Sequence, residues 1–408
     1  LPIVFGNLRK LEYRGYDSAG VAFFIKQGKQ IDVRVVKKAG KIDILGKAIE
    51  KESSWPATAA IAHSRWATHG VPNETNAHPH FDCKKEIFLV HNGIIENYQD
   101  LKNDLQKKGH HFRSQTDTEV AAHLIEEYGF EPALKKIVGA YALAVLFKDQ
   151  PDKLYLARLG SPLVVGVGDD EYYLASDPTA LAGLVKKVIY VKDRQHGVLT
   201  LNGFSIGPAR PKVEKLEMDV EQAKKGDFPH YMLKEIHEGP EVLKSALRGR
   251  LHAERGMVKL GGLEAVAAKL AKIKKMEILA CGTSYYSGMV GEMLLEELAD
   301  LPTEVMLASE YRYGKHPMRH DTAGLFISQS GETADTLAAL RKANANKLLT
   351  LGVVNAVGST IARETKAGIY NHAGPEIGGA STKAFISQLG VLTLMSLYLN
   401  PKAGKHHR

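Results

Sequence analysis

Two rhythms of apolar and polar positions divide the chain. In the first half, short apolar or alternating runs recur at ValAlaPhePheIle (21–25), ThrAlaAlaIleAlaHis (58–63), PheLeuValHisAsnGly (88–93), GlyAlaTyrAlaLeuAlaValLeuPhe (139–147) and GlyValLeuThrLeu (197–201). Gly, Pro and Asp turns separate them, which predicts the strands of a layered sheet domain. Apolar positions from Ile3 through Tyr13 have helical spacing, and Thr116 with Glu119 has capping-box spacing before a helix through Tyr128. In the second half an apolar run, a hydroxyl-rich turn and a helical segment repeat. GluIleLeuAlaCys (277–281) leads into GlyThrSer, Leu325–Ile327 into SerGlnSerGly, and LeuLeuThrLeuGlyValValAsn (348–355) into GlySerThrIleAla, while GlyGlyAlaSerThrLys (378–383) opens a long apolar helix through Leu399. Strands alternating with helices predict a parallel sheet, and ligands of such sheets bind beyond the carboxyl ends of the strands. A polar, charged stretch at 207–230 predicts a linker between a domain spanning 1–206 and another spanning 231–408.

Those turns are the first candidate chemistry. Backbone N–H groups at a helix start lack intrahelical partners and sit at the positive end of the dipole, so with nearby hydroxyls they hold phosphate. A plainer reading is an ordinary helix start, with Ser330 capping and Glu332 in the first turn. Neither GxGxxG nor GxxxxGK[ST] occurs, so the turns suit a small phosphorylated ligand rather than a nucleotide.

In the first half, Arg65 offers a bidentate fork for a carboxylate, Thr68 and His69 offer hydrogen bonds, and Asp117 can take an ammonium group. Asn92 and Gly93 have the makings of an oxyanion hole, an amide and an unhindered backbone N–H. Read by local sequence alone, however, Asn-Gly between LeuValHis and IleIleGlu is a hairpin turn. Four histidines, His63, His69, His78 and His80, come without an HExxH or CxxC, so no metal and no cofactor are expected.

Composition narrows the class. With 44% hydrophobic and 25% charged residues over 408 positions, the chain reads as two or three globular domains, not a disordered or coiled-coil protein. The formal charge of +8 suits an anionic partner, but the basic residues are scattered among 46 acidic ones, which favours a phosphorylated small molecule over nucleic acid. The longest apolar run, near Val391 to Leu399, is too short to span a bilayer, so no membrane partner is expected. Two cysteines, Cys83 and Cys281, fit a reducing compartment, and a cytoplasmic location is the expectation. The chain starts on Leu1 rather than Met, from which a missing N-terminus is expected.

Taken together, the motifs resemble a known family. LeuGluTyrArgGlyTyrAspSerAlaGly (11–20), HisSerArgTrpAlaThrHisGly (63–70), AsnAlaHisProHis (76–80), ValHisAsnGlyIleIleGluAsn (90–97) and GlnThrAspThrGluVal (115–120) look like the glutaminase domain of the isomerising glutamine:fructose-6-phosphate amidotransferases. TyrMetLeuLysGluIle (231–236), LeuAlaCysGlyThrSerTyr (279–285), SerGlnSerGlyGluThrAlaAspThr (328–336) and the segment 374–385 resemble that family's first sugar isomerase (SIS) domain. The resemblance implies an N-terminal nucleophile-type α/β/β/α sandwich followed by a parallel-sheet α/β/α domain. It implies that Arg65 holds the glutamine carboxylate and Asp117 its amine, that Thr68, His69 and His78 line that pocket, and that Asn92 and Gly93 form the oxyanion hole. Trp66 resembles the gate of an ammonia channel. Thr283, Ser284, Ser328, Gln329, Ser330 and Thr333 would bind fructose 6-phosphate, chiefly its phosphate, with Ser381 near the sugar.

The expected activity is transfer of glutamine's amide nitrogen to fructose 6-phosphate, giving glucosamine 6-phosphate and glutamate, in a homodimer. The family's nucleophile is an N-terminal cysteine absent from this sequence, and Cys83 and Cys281 do not match its position; the second isomerase domain is absent too. A fragment without glutaminase activity is therefore expected. Gly379 departs from the family's usual valine. A non-catalytic sugar-phosphate sensor is the alternative, since the Ser/Thr turns would serve it equally.

Overall fold

The computed structural model describes residues 1–12, 15, 17–27, 30–50, 57–67, 69–216, 225–316 and 321–400. The chain divides into two compact units, Leu1–Val220 and Glu221–Arg408.

The first unit is built from strands that are apolar on both faces, so each sheet must be covered twice. In strand Ser18–Gln27, residues Ala19, Val21, Phe23 and Ile25 face a cluster completed by Leu8, Ile42, Leu45 and Ile49 of helices Pro2–Lys10 and Ile42–Glu50. The alternate residues Ala22 and Phe24 face the opposite way, against Phe88, Val90, Ala144 and Leu146 of a second sheet. That second sheet has six antiparallel strands, among them Ile87–Ile95 and Gly139–Phe147. Its far face, through Leu89, Leu143 and Val145, packs on Val120, Leu124 and Ile125 of helix Thr118–Tyr128. A four-stranded sheet continues the first layer and meets the six-stranded one through Val165, Ile189, Leu156 and Leu199. The order is therefore helices, sheet, sheet, helices, the α/β/β/α sandwich expected. Part of the stretch 207–230, expected as linker, belongs to this unit's sheet: Glu214–Lys215 pairs with Lys187–Val188.

In the second unit five strands run parallel, in the order 303–307, 275–280, 322–328, 349–354, 367–370. Alternation again assigns two faces. Ile278, Leu325, Ile327, Leu351 and Val353 pack with Leu295, Leu392 and Met395, whereas Leu279, Phe326 and Val354 pack with Leu337, Leu340 and Ile361. Among the described residues no helix is long and apolar enough to cross a membrane.

Phe24 is wholly buried between the two sheets and meets Phe88 edge to face, with ring centroids 6.0 Å apart. Phe24→Ala is expected to cost about 3–5 kcal/mol through lost transfer energy and the cavity left behind. Urea unfolding of the two proteins checks this; a loss below about 1 kcal/mol would mean that the sheets do not depend on this contact.

Candidate functional site

Beyond the apolar contact between the sheets, the same strand faces turn polar. Period-two alternation puts Ile61, His63 and Arg65 on one face of strand Ala57–Arg65, and Phe88, Val90 and Asn92 on one face of strand Ile87–Ile95. The two polar ends meet: His63 Nε2 lies 2.7 Å from Asn92 Oδ1. An amide oxygen only accepts, so the proton in this bond belongs to Nε2, and the Asn92 Nδ2 donors stay available. Burial holds the His63 imidazole down to about 4, so it is neutral at pH 7.

Asn92 and Gly93 are therefore not a hairpin turn. They lie inside a nine-residue strand, paired with Ala142 and Tyr141. The turn reading fails because strand Gly139–Phe147 pairs with every residue from Ile87 to Ile95. Gly93 is required where it stands, with φ of 134° and a position where a Cβ would fall 2.0 Å from the Ala140 carbonyl oxygen.

A cavity of about 690 Å³ opens here, lined in part by His63, Arg65, Trp66, His78, Asn92, Gly93 and Asp117. The Arg65 side chain is buried, and its Nη2 donates to the carbonyl oxygens of His69 and, at 3.1 Å, Gly70. Its Nη1 is buried without a hydrogen-bond partner among the described residues. Asp117 is 4% exposed; its Oδ2 accepts from the Ile95 N–H at 2.8 Å and its Oδ1 lies 3.8 Å from His69 Nδ1. His78 stacks on His63 with ring centroids 4.2 Å apart, its pKa well below the ordinary value because of burial and then the neighbouring His63, His80, His91 and Arg65. Trp66 is 59% exposed at the cavity edge. Thr68 lies outside the described residues. The cavity is lined by neither Cys83 nor Cys281.

The expected capping box at Thr116 and Glu119 does not form. The helix cap is Asp117, whose side chain makes no capping bond, while Glu119 accepts from Arg113 N, Ser114 N and Ser114 Oγ, and Thr116 Oγ1 pairs with His80 Nε2 at 3.0 Å. Asp117 thereby keeps one carboxylate oxygen toward the cavity side rather than spending it on its own helix.

In the second unit the turns after strands Lys275–Ala280, Thr322–Ser328 and Leu349–Val354 gather at the carboxyl ends of three adjacent strands. Ser328 Oγ accepts from Gly331 N at 2.9 Å and bonds Thr333 Oγ1 at 2.9 Å, and Ser330 Oγ accepts from Glu332 N at 3.2 Å. Gly331, at φ of 64°, leaves no room for a Cβ, which would fall 2.0 Å from Ser359 Oγ. The plain capping reading of Ser330 also fails. Helix Ala334–Ala345 starts four residues later with Thr333 as its cap, and Thr333 makes no side-chain capping bond. Gln329 contributes its carbonyl to Asn355 N and Ala356 N at 3.3 and 3.1 Å, tying two of the turns together.

Thr283 opens helix Thr283–Ala299, and Ser284 Oγ accepts from Gln388 Nε2 at 3.0 Å, joining that helix to Lys383–Leu399. The third expected cradle is different. Glu376 Oε1 takes the N–H groups of Thr382 and Ala384 at 2.7 and 3.0 Å, so this helix start holds its own carboxylate, beside Ser381. Gly379 takes φ of 87°, a conformation glycine adopts freely.

Sequence reasoning missed His63, which it considered only among possible metal ligands. The signal was present: two residues before Arg65 and two strands from Asn92, it lies on the face that alternation assigns to the space between the sheets.

Comparison with known proteins agrees with both halves. Residues 9–211 match the glutamine amidotransferase domain model and residues 269–398 the SIS domain model. A Chlorobaculum tepidum protein called glutamine–fructose-6-phosphate aminotransferase (isomerizing) is 43% identical over 417 residues, covering 98% of this chain and 67% of that protein. A Bacteroides thetaiotaomicron protein of the same name is 44% identical over 420 residues, covering 99% of this chain and 68% of that protein. The solved C-terminal domain of glucosamine-fructose-6-phosphate aminotransferase from Francisella tularensis is 39% identical, covers 43% of this chain and 49% of that chain, and has a TM-score of 0.41.

A glutamine amidotransferase domain is thus followed in one chain by a SIS domain. The chain belongs to the glutamine–fructose-6-phosphate aminotransferase (isomerizing) family.

The buried histidines set a pH dependence. A histidine whose folded pKa lies below its unfolded value favours folding only while neutral; below about pH 6.5 the unfolded chain binds protons the fold excludes. For His63 the loss of stability on acidification runs from about 6.5 down to its folded pKa of about 4, and buried His78, His80 and His91 act in the same direction. Urea unfolding at pH 7 and pH 5 is expected to show lower stability at pH 5. Equal stability at the two values would contradict the burial of neutral imidazoles.

Proposed function

We propose that the first unit binds glutamine and presents its side-chain amide to Asn92 and Gly93, and that the second unit binds fructose 6-phosphate, which receives the amide nitrogen to give glucosamine 6-phosphate and glutamate. The observation that carries this is that buried Arg65, whose Nη1 has no hydrogen-bond partner among the described residues, lines the same cavity as the Asp117 carboxylate. A buried guanidinium donor without an acceptor is costly unless a ligand completes it. An α-carboxylate on Arg65 and an α-ammonium on Asp117 complete both, and the amino acid's side chain is then directed along the cavity. His69 and His78 border that position, with Thr68 assigned there by the family resemblance alone.

Asn92 Nδ2 and the Gly93 N–H are the donors for the oxyanion that develops when the amide carbonyl is attacked. The neutral His63 holds the Asn92 amide with its nitrogen free, so His63 is a positioning residue. Two preoriented donors in a partly buried site stabilise such an oxyanion far better than water does. Trp66 is placed at the rim of this cavity, in keeping with a gating role.

In the second unit, the hydroxyls of Ser328, Ser330 and Thr333 and the first-turn N–H groups of helix Ala334–Ala345, which receive no side-chain cap, suit a phosphate dianion. Thr283, Ser284 and Gln329 extend the same crest, and Ser381 lies on the segment expected near the sugar. The working form is proposed to be a homodimer in the cytoplasm.

Calorimetric titration of the full chain with fructose 6-phosphate tests the second half. Wild type should bind, and Ser330→Ala or Thr333→Val should weaken binding about tenfold or more, the worth of one hydrogen bond to a charged group. Binding unchanged in both variants, or no heat with folded wild type, would refute the assignment.

A further inference from the structure

Four side chains outside both sites converge on a single point of the first unit. Cys83 lies in the turn between strands His80–Phe81 and Ile87–Ile95, His110 follows helix Tyr98–Lys107, and His123 and Glu126 stand one turn apart on helix Thr118–Tyr128. Their ligating atoms, Cys83 Sγ, the two imidazole Nδ1 atoms and a Glu126 oxygen, all lie within 4.8 Å of one another. Cys83 Sγ is 3.7 Å from His110 Nδ1 and 3.5 Å from His123 Nδ1, and Glu126 Oε2 is 3.1 and 3.3 Å from the same two nitrogens.

We propose that Cys83, His110, His123 and Glu126 bind one structural zinc ion. Tetrahedral zinc with sulfur at about 2.3 Å and nitrogen or oxygen at about 2.0–2.1 Å requires neighbouring ligand atoms to be about 3.3–3.6 Å apart. The four separations given above, 3.1 to 3.7 Å, bracket that range. A thiolate, two neutral imidazoles and one carboxylate also neutralise a divalent cation, and thiolate with imidazole favours zinc over magnesium or calcium.

The surroundings have the features of a ligand shell. Each histidine turns Nδ1 toward the centre and its other nitrogen toward a carboxylate: His110 Nε2 lies 3.2 Å from Glu127 Oε2, and His123 Nε2 lies 3.6 Å from Glu119 Oε1. The contact of His110 with Glu127 is within hydrogen-bond range, and such an outer carboxylate fixes the tautomer and ring orientation of metal-bound histidine. The sulfur accepts the His111 backbone N–H at 3.5 Å, which suits a thiolate. Side-chain exposure is 0% for His123, 8% for His110 and 13% for Glu126. Four protein ligands in a mostly buried site leave no open position, so the ion is structural rather than catalytic. On binding, a zinc–sulfur bond forms and the thiol proton leaves to solvent.

The ion would clamp three segments of chain that also share one apolar cluster, through Leu89, Leu105 and Leu124. One of them is the helix whose first residue follows Asp117, so the clamp lies behind the wall of the amino-acid cavity. The four histidines singled out in the sequence, His63, His69, His78 and His80, are not part of it.

Metal analysis of the purified full chain after dialysis against metal-free buffer tests the proposal, together with cobalt(II) replacement. About one zinc per chain is expected, and the cobalt form should show a sulfur-to-cobalt charge-transfer band and the intense visible bands of a tetrahedral ion. Cys83→Ser should abolish the charge-transfer band, and His123→Ala should lose most of the metal. If His123→Ala does not fold, the isosteric Cys83→Ser still gives the decisive comparison. The proposal is overturned if wild type holds no zinc either as purified or after incubation with zinc sulfate, or if Cys83→Ser keeps the same zinc content and the same cobalt spectrum.

Discussion

The contact between the two sheets of the first unit is what the cavity proposed for the amino acid depends on. Ala22, Phe24 and Ile61 meet Phe88, Val90, Ala144 and Leu146 in a closed apolar layer. A strand cannot change which face its alternate residues occupy without a bulge. Once Ile61 and Val90 are committed to that layer, His63, Arg65 and Asn92 must face the gap where it ends. The bond from His63 to Asn92 crosses this gap, and the burial that keeps His63 neutral also encloses the Arg65 Nη1. Binding geometry and sheet packing are therefore one constraint, not two.

The second unit reaches a similar result by another route. Parallel strands send every chain reversal at one end of the sheet through a loop and a helix start, so polar turns accumulate beyond their carboxyl ends. Ser328 and Thr333 brace the central turn, Gln329 links it to the next, and Gly331 lets it pass close to Ser359. The start of helix Lys383–Leu399 is closed by Glu376 instead. Glu332 likewise takes the Thr360 N–H after strand Leu349–Val354, so the turns after Lys275–Ala280 and Thr322–Ser328 are the ones proposed to seat the phosphate.

Much of this was legible in the sequence because burial on both faces leaves an unambiguous pattern. The strands at Val21–Ile25, Leu325–Ile327 and 348–355 follow from uninterrupted apolar runs, and the parallel order of the second sheet follows from their alternation with helices. Local rules failed where a longer-range partner outbid them. Asn-Gly favours a turn in isolation, but strand Gly139–Phe147 pairs with the whole of Ile87–Ile95, and Gly93 serves to admit the Ala140 carbonyl. Thr116 and Glu119 have the spacing of a reciprocal cap, but His80 and the 113–114 backbone claim them first. The pairing of His63 with Asn92, and of Cys83 with residues on a distant helix, depends on tertiary contacts that no window of sequence contains.

The central claim is that the Arg65 guanidinium, whose Nη1 has no partner among the described residues, is completed by a ligand's α-carboxylate. Calorimetry of the full chain with L-glutamine and with 4-aminobutanamide, which keeps the amide and amine but lacks that carboxylate, tests it most directly. The account predicts that the second compound binds at least about tenfold more weakly, the cost of leaving a buried charged donor unpaired. Equal affinity for the two compounds would contradict it.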